Sequence, residues 1–146
     1  MKKFRFPLEK LRAWRRSRFE AEEARLQALL TEQRRIQHQR ERLVAEMDAS
    51  LNHLAGKHTA CAEELVALNS FCLYAQHEER RLEHTQRQVG HEIDKQREQL
   101  LKARRDVEVL DSLREKRLGQ WRAEADKEQE NLVAELVVAR WKAAGR

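Results

Sequence analysis

The chain has 146 residues, of which 38% are charged and only 5% are aromatic, and its formal net charge is +5. This composition provides too few large apolar side chains for a round core, so it favours a single elongated helical domain over residues 1–146. No run of about 18 apolar residues occurs and no apolar segment follows the basic start, which excludes a membrane-spanning helix and a secretory signal peptide, and we expect a cytoplasmic protein.

The first predicted helix covers about residues 5–54, with Pro7 in its first turn, where the missing N–H is not needed. Its apolar residues recur at steps of three and four, which is typical of a coiled-coil seam. Its first turns are strongly basic, because residues 1–18 contain eight lysines and arginines but one acidic residue, Glu9. Such an end can meet nucleic acid, an anionic membrane or an acidic protein surface, and charge alone does not choose among them. The seam consists of Leu8, Leu11, Phe19, Leu26, Leu29, Ile36, Leu43, Met47, Leu51 and Leu54.

A short helical connection is expected near residues 55–70. Gly56 suits the left-handed position that ends many helices, and Thr59 can cap a following helix. Residues 60–68 have the pattern of a short helix, and the pair 69–70 (Asn-Ser) offers a second possible break. The turn is therefore placed near residue 62, with a turn at residues 69–70 as the alternative.

The second predicted helix covers about residues 70–140, and its seam is again narrow and flanked by charge. Two helices joined by a short connection fold back antiparallel, so we expect an all-α, two-helix coiled-coil hairpin that is monomeric on its own. Facing residues then have numbers that sum to about 125, or to about 140 for the alternative turn. In the first register, residues beyond roughly 125 outrun the first helix and leave an exposed apolar stripe, which usually marks an interface. The second seam consists of Leu82, Val89, Ile93, Leu100, Val107, Leu110, Leu118, Trp121, Leu132 and Leu136.

The sequence contains no motif that indicates catalysis, a cofactor or a metal site. Cys61 and Cys72 lack CxxC spacing and are interpreted as buried thiols. His77, His84 and His91 recur every seven residues, which separates neighbours by about 10 Å along a helix, too far to share one metal ion. We interpret these histidines as a solvated face, and we expect no catalytic residue and no cofactor.

Three segments resemble the flagellar export protein FliJ family: residues 4–11 (FRFPLEKL), residues 65–71 (LVALNSF), and residues 113–121 (LREKRLGQW) followed by Glu128 and Gln129. The resemblance covers nearly the whole chain. It implies a component of the bacterial flagellar type III export apparatus that is cytoplasmic and peripherally associated with the inner membrane. It also implies three partners, which are the hexameric export ATPase, the export-gate membrane protein and substrate chaperones.

Two surfaces are predicted for these partners. For the gate, the resemblance points to the end of the first helix and the start of the second, with Leu43, Phe71 and Tyr74 as the nearest matches. For the ATPase ring, the preferred register brings the basic first turns beside a basic segment of the second helix. Mutual repulsion of these cations in the free chain would favour an acidic partner. The residues assigned to ATPase docking are Arg5, Arg12, Arg15, Arg16, Arg114, Arg117 and Trp121.

Two other readings remain open. The homologous stalk of a virulence type III injectisome is close in kind, and the sequence does not separate it from a flagellar protein. A basic coiled coil that binds nucleic acid, or a generic tether, belongs to another class. Aromatic residues are not interleaved with the basic ones in a stacking pattern, so we expect neither a nucleic-acid partner nor a small-molecule substrate.

Overall fold

The computed structural model describes residues 2–146, which form an all-α hairpin of two long helices packed against each other. Helix α1 covers Glu9–Ala55 and helix α2 covers Ala62–Ala144. The predicted fold class is thus confirmed, and residues 2–146 contain no strand. Neither helix contains a stretch that is long and apolar enough to span a membrane.

Helix α1 begins at Glu9, a few residues later than the predicted start near residue 5. The backbone N–H of Glu9 donates to the carbonyl of Phe6 at 3.2 Å, and that of Arg12 donates to Leu8 at 2.9 Å. Pro7 therefore lies in the turn before the helix and not inside it. Phe6 is buried, so side-chain packing holds this turn in place.

The connection is shorter than predicted, covers residues 56–61 and is not helical. Gly56 does not take the left-handed conformation that we expected, since its φ is not positive and its N–H continues the helical pattern by donating to Asn52 at 3.0 Å. Thr59 is not the cap of α2, because the carbonyl of Cys61 accepts the N–H of Leu65. The segment predicted as a separate short helix is the first part of α2.

Helix α2 continues without interruption through residues 69–70, where the sequence offered a second break. The pair Glu63 and Glu64 in its first turn favours this early start, because carboxylates stabilise the N-terminal end of a helix. The Lys57 ammonium lies 2.8 Å from the Glu64 carboxylate and joins the connection to that first turn. Local charge thus offsets the weak helix propensity of the Asn-Ser pair.

The chain divides into two compact units. The turn unit is Ala21–Leu101, and the terminal unit is residues 2–20 together with Lys102–Arg146. Inside the turn unit, residues from both helices form one apolar cluster, with the partly buried Leu26, Leu29, Leu30 and Met47 packed around it. The buried members of this cluster are Ile36, Leu43, Ala75, Leu82, Val89 and Ile93.

Contacts within each unit identify the pairing register. In the turn unit, Arg40 Nη1 donates to Gln86 Oε1 at 2.6 Å. In the terminal unit, the rings of Phe4 and Trp121 have centroids 6.0 Å apart. The residue numbers of both pairs sum to about 125. The register in which facing numbers sum to about 125 is therefore confirmed, although the connection lies at residues 56–61 and is not centred on residue 62, and the alternative of about 140 is wrong.

Candidate functional site

Trp121, predicted as an ATPase-docking residue, is partly buried in the terminal unit. Its ring packs against Phe4 at an interplanar angle of 58°, and its indole N–H donates to the backbone carbonyl of Lys2 at 3.2 Å. A tilted aromatic pair with a satisfied indole N–H is a stable arrangement. Trp121 thus attaches the segment that precedes α1 to α2, and any partner would reach only its exposed edge.

Arg12 links the two helices of the terminal unit. Its Nε donates to Asp111 Oδ1 at 2.6 Å, and its Nη1 donates to Glu9 Oε1 at 2.9 Å. The hydrogen bond from Arg12 holds the pKa of the Asp111 carboxyl below its usual value, although desolvation acts in the opposite direction. The same hydrogen bond raises the pKa of the Arg12 guanidinium. Because the Arg12 side chain is 15% exposed, this pair is better shielded from water than an ordinary surface salt bridge.

Other predicted docking arginines also have acidic neighbours within the terminal unit. Arg15 Nη1 donates to Asp106 at 2.7 Å, and Arg16 lies 3.6 Å from Asp111. Arg114 Nε lies 3.4 Å from Glu9 Oε2, a charge contact that lacks hydrogen-bond geometry. The predicted repulsion between two basic segments is therefore wrong in this form, because carboxylates from both helices lie among the arginines. Asp106 and Asp111 of α2 lie beside the basic first turns of α1, and a count of the cations alone leaves out this neutralisation.

Arg5 and Arg117 are the two predicted docking arginines that remain exposed without a salt bridge in the described part of the chain. Unpaired cations keep their full capacity for an external carboxylate, since no internal bond has to break first. Of the predicted residues, this pair is therefore best suited to meet an acidic partner.

Trp14 is a surface residue that the sequence argument missed. Its side chain is 53% exposed, and the guanidinium carbons of Arg15 and Arg18 lie 5.1 and 5.6 Å from its ring centroid. These distances fit cation–π contacts, which orient cations beside an aromatic face. The available signal was a tryptophan outside the apolar seam and next to basic residues. Trp14 adds an aromatic element to the basic surface, which we define as Arg5, Arg12, Trp14, Arg15, Arg16, Arg18, Arg114, Arg117 and Trp121.

The apolar stripe predicted beyond residue 125 is present. Every residue from 126 to 146 is exposed, although α2 continues to Ala144. Leu136 is 67% exposed and Trp141 is 79% exposed. Large apolar side chains displayed together on a helix are unusual on a soluble surface that has no partner.

In the turn unit, an open groove of about 490 Å³ lies between the end of α1 and the start of α2. Leu54, Leu68 and Phe71 supply its apolar surface, and the Lys57–Glu64 ion pair lies at its margin. The Lys57 ammonium lowers the pKa of the Glu64 carboxyl through their hydrogen bond. Tyr74 is 58% exposed, so of the predicted gate residues, Phe71 and Tyr74 are available to a partner.

Leu43, the third predicted gate residue, is not available to a partner. It is buried in the apolar cluster of the turn unit. Leu43 is a seam residue, and seam residues are expected to be buried. This burial argues against the gate contact that the resemblance implied for Leu43. Leu43 is therefore a packing residue.

The cysteines and histidines differ in how they match their predictions. Cys61 is exposed in the connection, so the prediction of a buried thiol is wrong there, whereas Cys72 is partly buried. Cys61 lies outside the seam because α2 begins at Ala62, after the start at residue 60 that the helical pattern predicted. His77, His84 and His91 are all exposed, as predicted for a solvated face.

A family model described as Flagellar FliJ protein matches residues 4–146. The chain belongs to the FliJ family. Comparison with curated proteins and with solved structures gives no match. The chain is accordingly a flagellar export-related protein, and its family is a non-enzymatic export component.

Membership in the FliJ family concerns the chain as a whole and assigns no role to single residues. The two surfaces described above, the basic surface of the terminal unit and the groove of the turn unit, are therefore candidate binding sites. Both offer contacts for recognition, namely cations, aromatic faces and an apolar groove.

Proposed function

We propose that this FliJ family member acts as the stalk of the hexameric flagellar export ATPase, as an adaptor to the export gate and as an escort of substrate chaperones. The observation that carries the proposal is the basic surface of the terminal unit, where Arg5 and Arg117 are exposed and without salt bridges in the described residues. A cationic helical end is suited to an acidic ring, because opposite charge speeds encounter and fixes orientation.

The contact with the ring has two parts in this proposal. The basic surface supplies the charged part, which salt screens with a Debye length of about 8 Å at physiological ionic strength. The exposed Leu132, Leu136 and Trp141 supply an apolar part that salt does not screen. Raising the salt concentration therefore weakens the association with the ATPase without abolishing it.

The internal ion pairs of the terminal unit determine which arginines can be replaced without loosening the hairpin. Reversing the charge of Arg12 would leave it facing Asp111 and Glu9 in a repulsive contact and loosen the hairpin. Reversing Arg5 and Arg117 breaks no salt bridge in the described residues. We therefore choose Arg5→Glu with Arg117→Glu as the test variant.

The experiment measures association with the export ATPase at low salt and the stimulation of ATP hydrolysis. The double variant is expected to bind several-fold more weakly, at about 0.5–1 kcal/mol for each exposed charge. The matched control is Arg80→Glu with Arg97→Glu, two exposed arginines of the turn unit that make no salt bridge in the described residues. Equal loss in both double variants would mean that net charge matters but the basic surface does not.

The turn unit is proposed to contact the export gate through Phe71 and Tyr74. The apolar groove beside Phe71 supports this role, because exposed aromatic residues next to a concave apolar surface are favourable interface anchors. Through this contact the chain would operate on the cytoplasmic side and be held peripherally at the inner membrane. The flagellar family match favours this system over a virulence injectisome.

A further inference from the structure

The last part of α2 has an uneven distribution of charge that accompanies its exposed apolar stripe. Residues 126–137 carry four carboxylates and one lysine, namely Asp126, Lys127, Glu128, Glu130 and Glu135. Residues 138–146 carry three cations and no acidic side chain, namely Arg140, Lys142 and Arg146. The segment thus has an acidic half followed by a basic half.

Four apolar side chains lie along one face of this helix, whereas the exposed Val133, Val137, Val138 and Trp141 lie outside that face. Leu132, Leu136, Ala139 and Ala143 follow one another at steps of four, three and four, which is the spacing of a coiled-coil seam. All four are exposed. The two alanines allow a second helix to approach closely opposite the leucines. The stripe therefore has the pattern of an interface for one more helix.

The charge distribution of this segment indicates which helix can pack against its seam. If two copies of this segment pack antiparallel, the acidic half of each copy lies beside the basic half of the other. Glu135 and Lys142 both flank the seam on one side, so the antiparallel arrangement can pair them twice, once on each side of the two-fold axis. A parallel arrangement places like charges together, which is unfavourable. The segment is thus complementary to itself in one orientation only.

We infer that, in the free chain, residues 131–144 form an antiparallel two-helix interface with a second copy of this chain, centred between Leu136 and Ala139. The hairpin itself still forms within one chain, but the inference replaces the monomer expected from the sequence with a monomer–dimer equilibrium. An overlap of about 14 residues is about 21 Å long. That is at the small end of specific interfaces, and the dimer therefore forms in a concentration-dependent way.

The inference does not rest on the proposed function, and its test contains no ATPase. Sedimentation equilibrium of the full chain, from micromolar to hundreds of micromolar at low salt, is expected to show a monomer–dimer equilibrium. Leu136→Arg is expected to weaken dimerisation at least tenfold without loss of helicity, because Leu136 is exposed in the hairpin. The matched control is Leu101→Arg, at an exposed leucine of the turn unit, which is expected to dimerise like the unaltered chain.

Charge reversal tests the orientation. One variant makes the segment predominantly basic through Glu128→Lys, Glu130→Lys and Glu135→Lys, and the other makes it predominantly acidic through Arg140→Glu and Lys142→Glu. Each variant alone is expected to remain monomeric, whereas a mixture of the two is expected to form a heterodimer.

Three results would overturn the inference. The first is a monomer at every concentration. The second is a dimer that Leu136→Arg leaves intact, because another surface would then be responsible. The third is failure of the two charge variants to pair with each other.

Discussion

The side-chain amide of Gln96 donates to the backbone carbonyl of Glu22 at 3.0 Å and also to the Glu22 carboxylate, and both residues are buried between the two helices of the turn unit. In a coiled coil, seam positions such as these usually carry apolar residues. A buried carboxylate needs hydrogen-bond donors; Arg25 on the same helix provides one at 3.4 Å, and in the correct register Gln96 provides another from the facing helix. The pair therefore disfavours sliding of one helix along the other, in the way that polar seam residues specify register in coiled coils.

The first prediction concerns this pair. Gln96→Leu leaves the Glu22 carboxylate buried without its amide donor, so we expect a loss of about 1–3 kcal/mol in the free energy of unfolding, measured with urea. Replacing both residues by leucine removes the unsatisfied group and restores most of the stability. A double variant that is less stable than Gln96→Leu alone would contradict the assignment.

The second prediction concerns the apolar cluster. Ile36 is 1% exposed, so Ile36→Ala removes a fully buried side chain and is expected to cost about 2–5 kcal/mol of unfolding free energy. Val133→Ala, at an exposed position of the terminal unit, is the control and is expected to change stability by less than about 0.5 kcal/mol. Similar losses in the two variants would show that the cluster does not dominate the stability of the turn unit.

The third prediction concerns the pH dependence of the Arg12–Asp111 pair. The folded-state pKa of Asp111 lies below its ordinary value, so its contribution to stability is fully present above about pH 4, the unfolded value. That contribution is lost as the pH falls through the folded pKa. Asp111→Asn is therefore expected to be less stable than the unaltered chain near pH 7, and the difference is expected to shrink in acid. Asp126→Asn, at an exposed aspartate of the same unit, is the control, and a stability difference for Asp111→Asn that stays constant down to pH 2 would exclude this linkage.

The fourth prediction concerns the gate. Phe71→Ala with Tyr74→Ala removes a groove-lining ring and an exposed ring, and we expect weaker binding to the export gate and reduced motility. Leu101→Ala, which removes an exposed apolar side chain elsewhere in the turn unit, is the matched control. Circular dichroism checks that the hairpin stays folded. Normal gate binding by the folded double variant would remove this surface from the proposal.

Much of the hairpin could be predicted from apolar spacing alone. The numbers of Ile36 and Val89 fit the sum of about 125 that is predicted for facing residues, and both lie in the apolar cluster of the turn unit. This works because a narrow apolar stripe on each of two antiparallel helices can be buried in few registers. The same reasoning identified Leu132 and Leu136 as exposed.

The polar contacts were harder to predict, for a physical reason. The Arg12–Asp111 hydrogen bond joins residues far apart in the chain and lies beside the seam, where apolar periodicity carries no information. A glycine near the end of a helix can either take the left-handed conformation or continue the helix, and its sequence neighbours do not decide between the two. Gly56 continues the helix, since its φ is not positive. Trp14 was missed because it lies outside the apolar seam, and apolar spacing identifies only the residues of the seam.

The measurement that tests the central proposal most directly is site-specific photo-crosslinking in motile cells. A photo-crosslinking amino acid in place of Arg117, in the exposed basic surface, is compared with the same group in place of Arg80 in the turn unit. If the terminal unit docks into the export ATPase, position 117 crosslinks to the ATPase and position 80 does not. An ATPase crosslink that is equally strong at position 80, or absent at position 117, would contradict the stalk proposal.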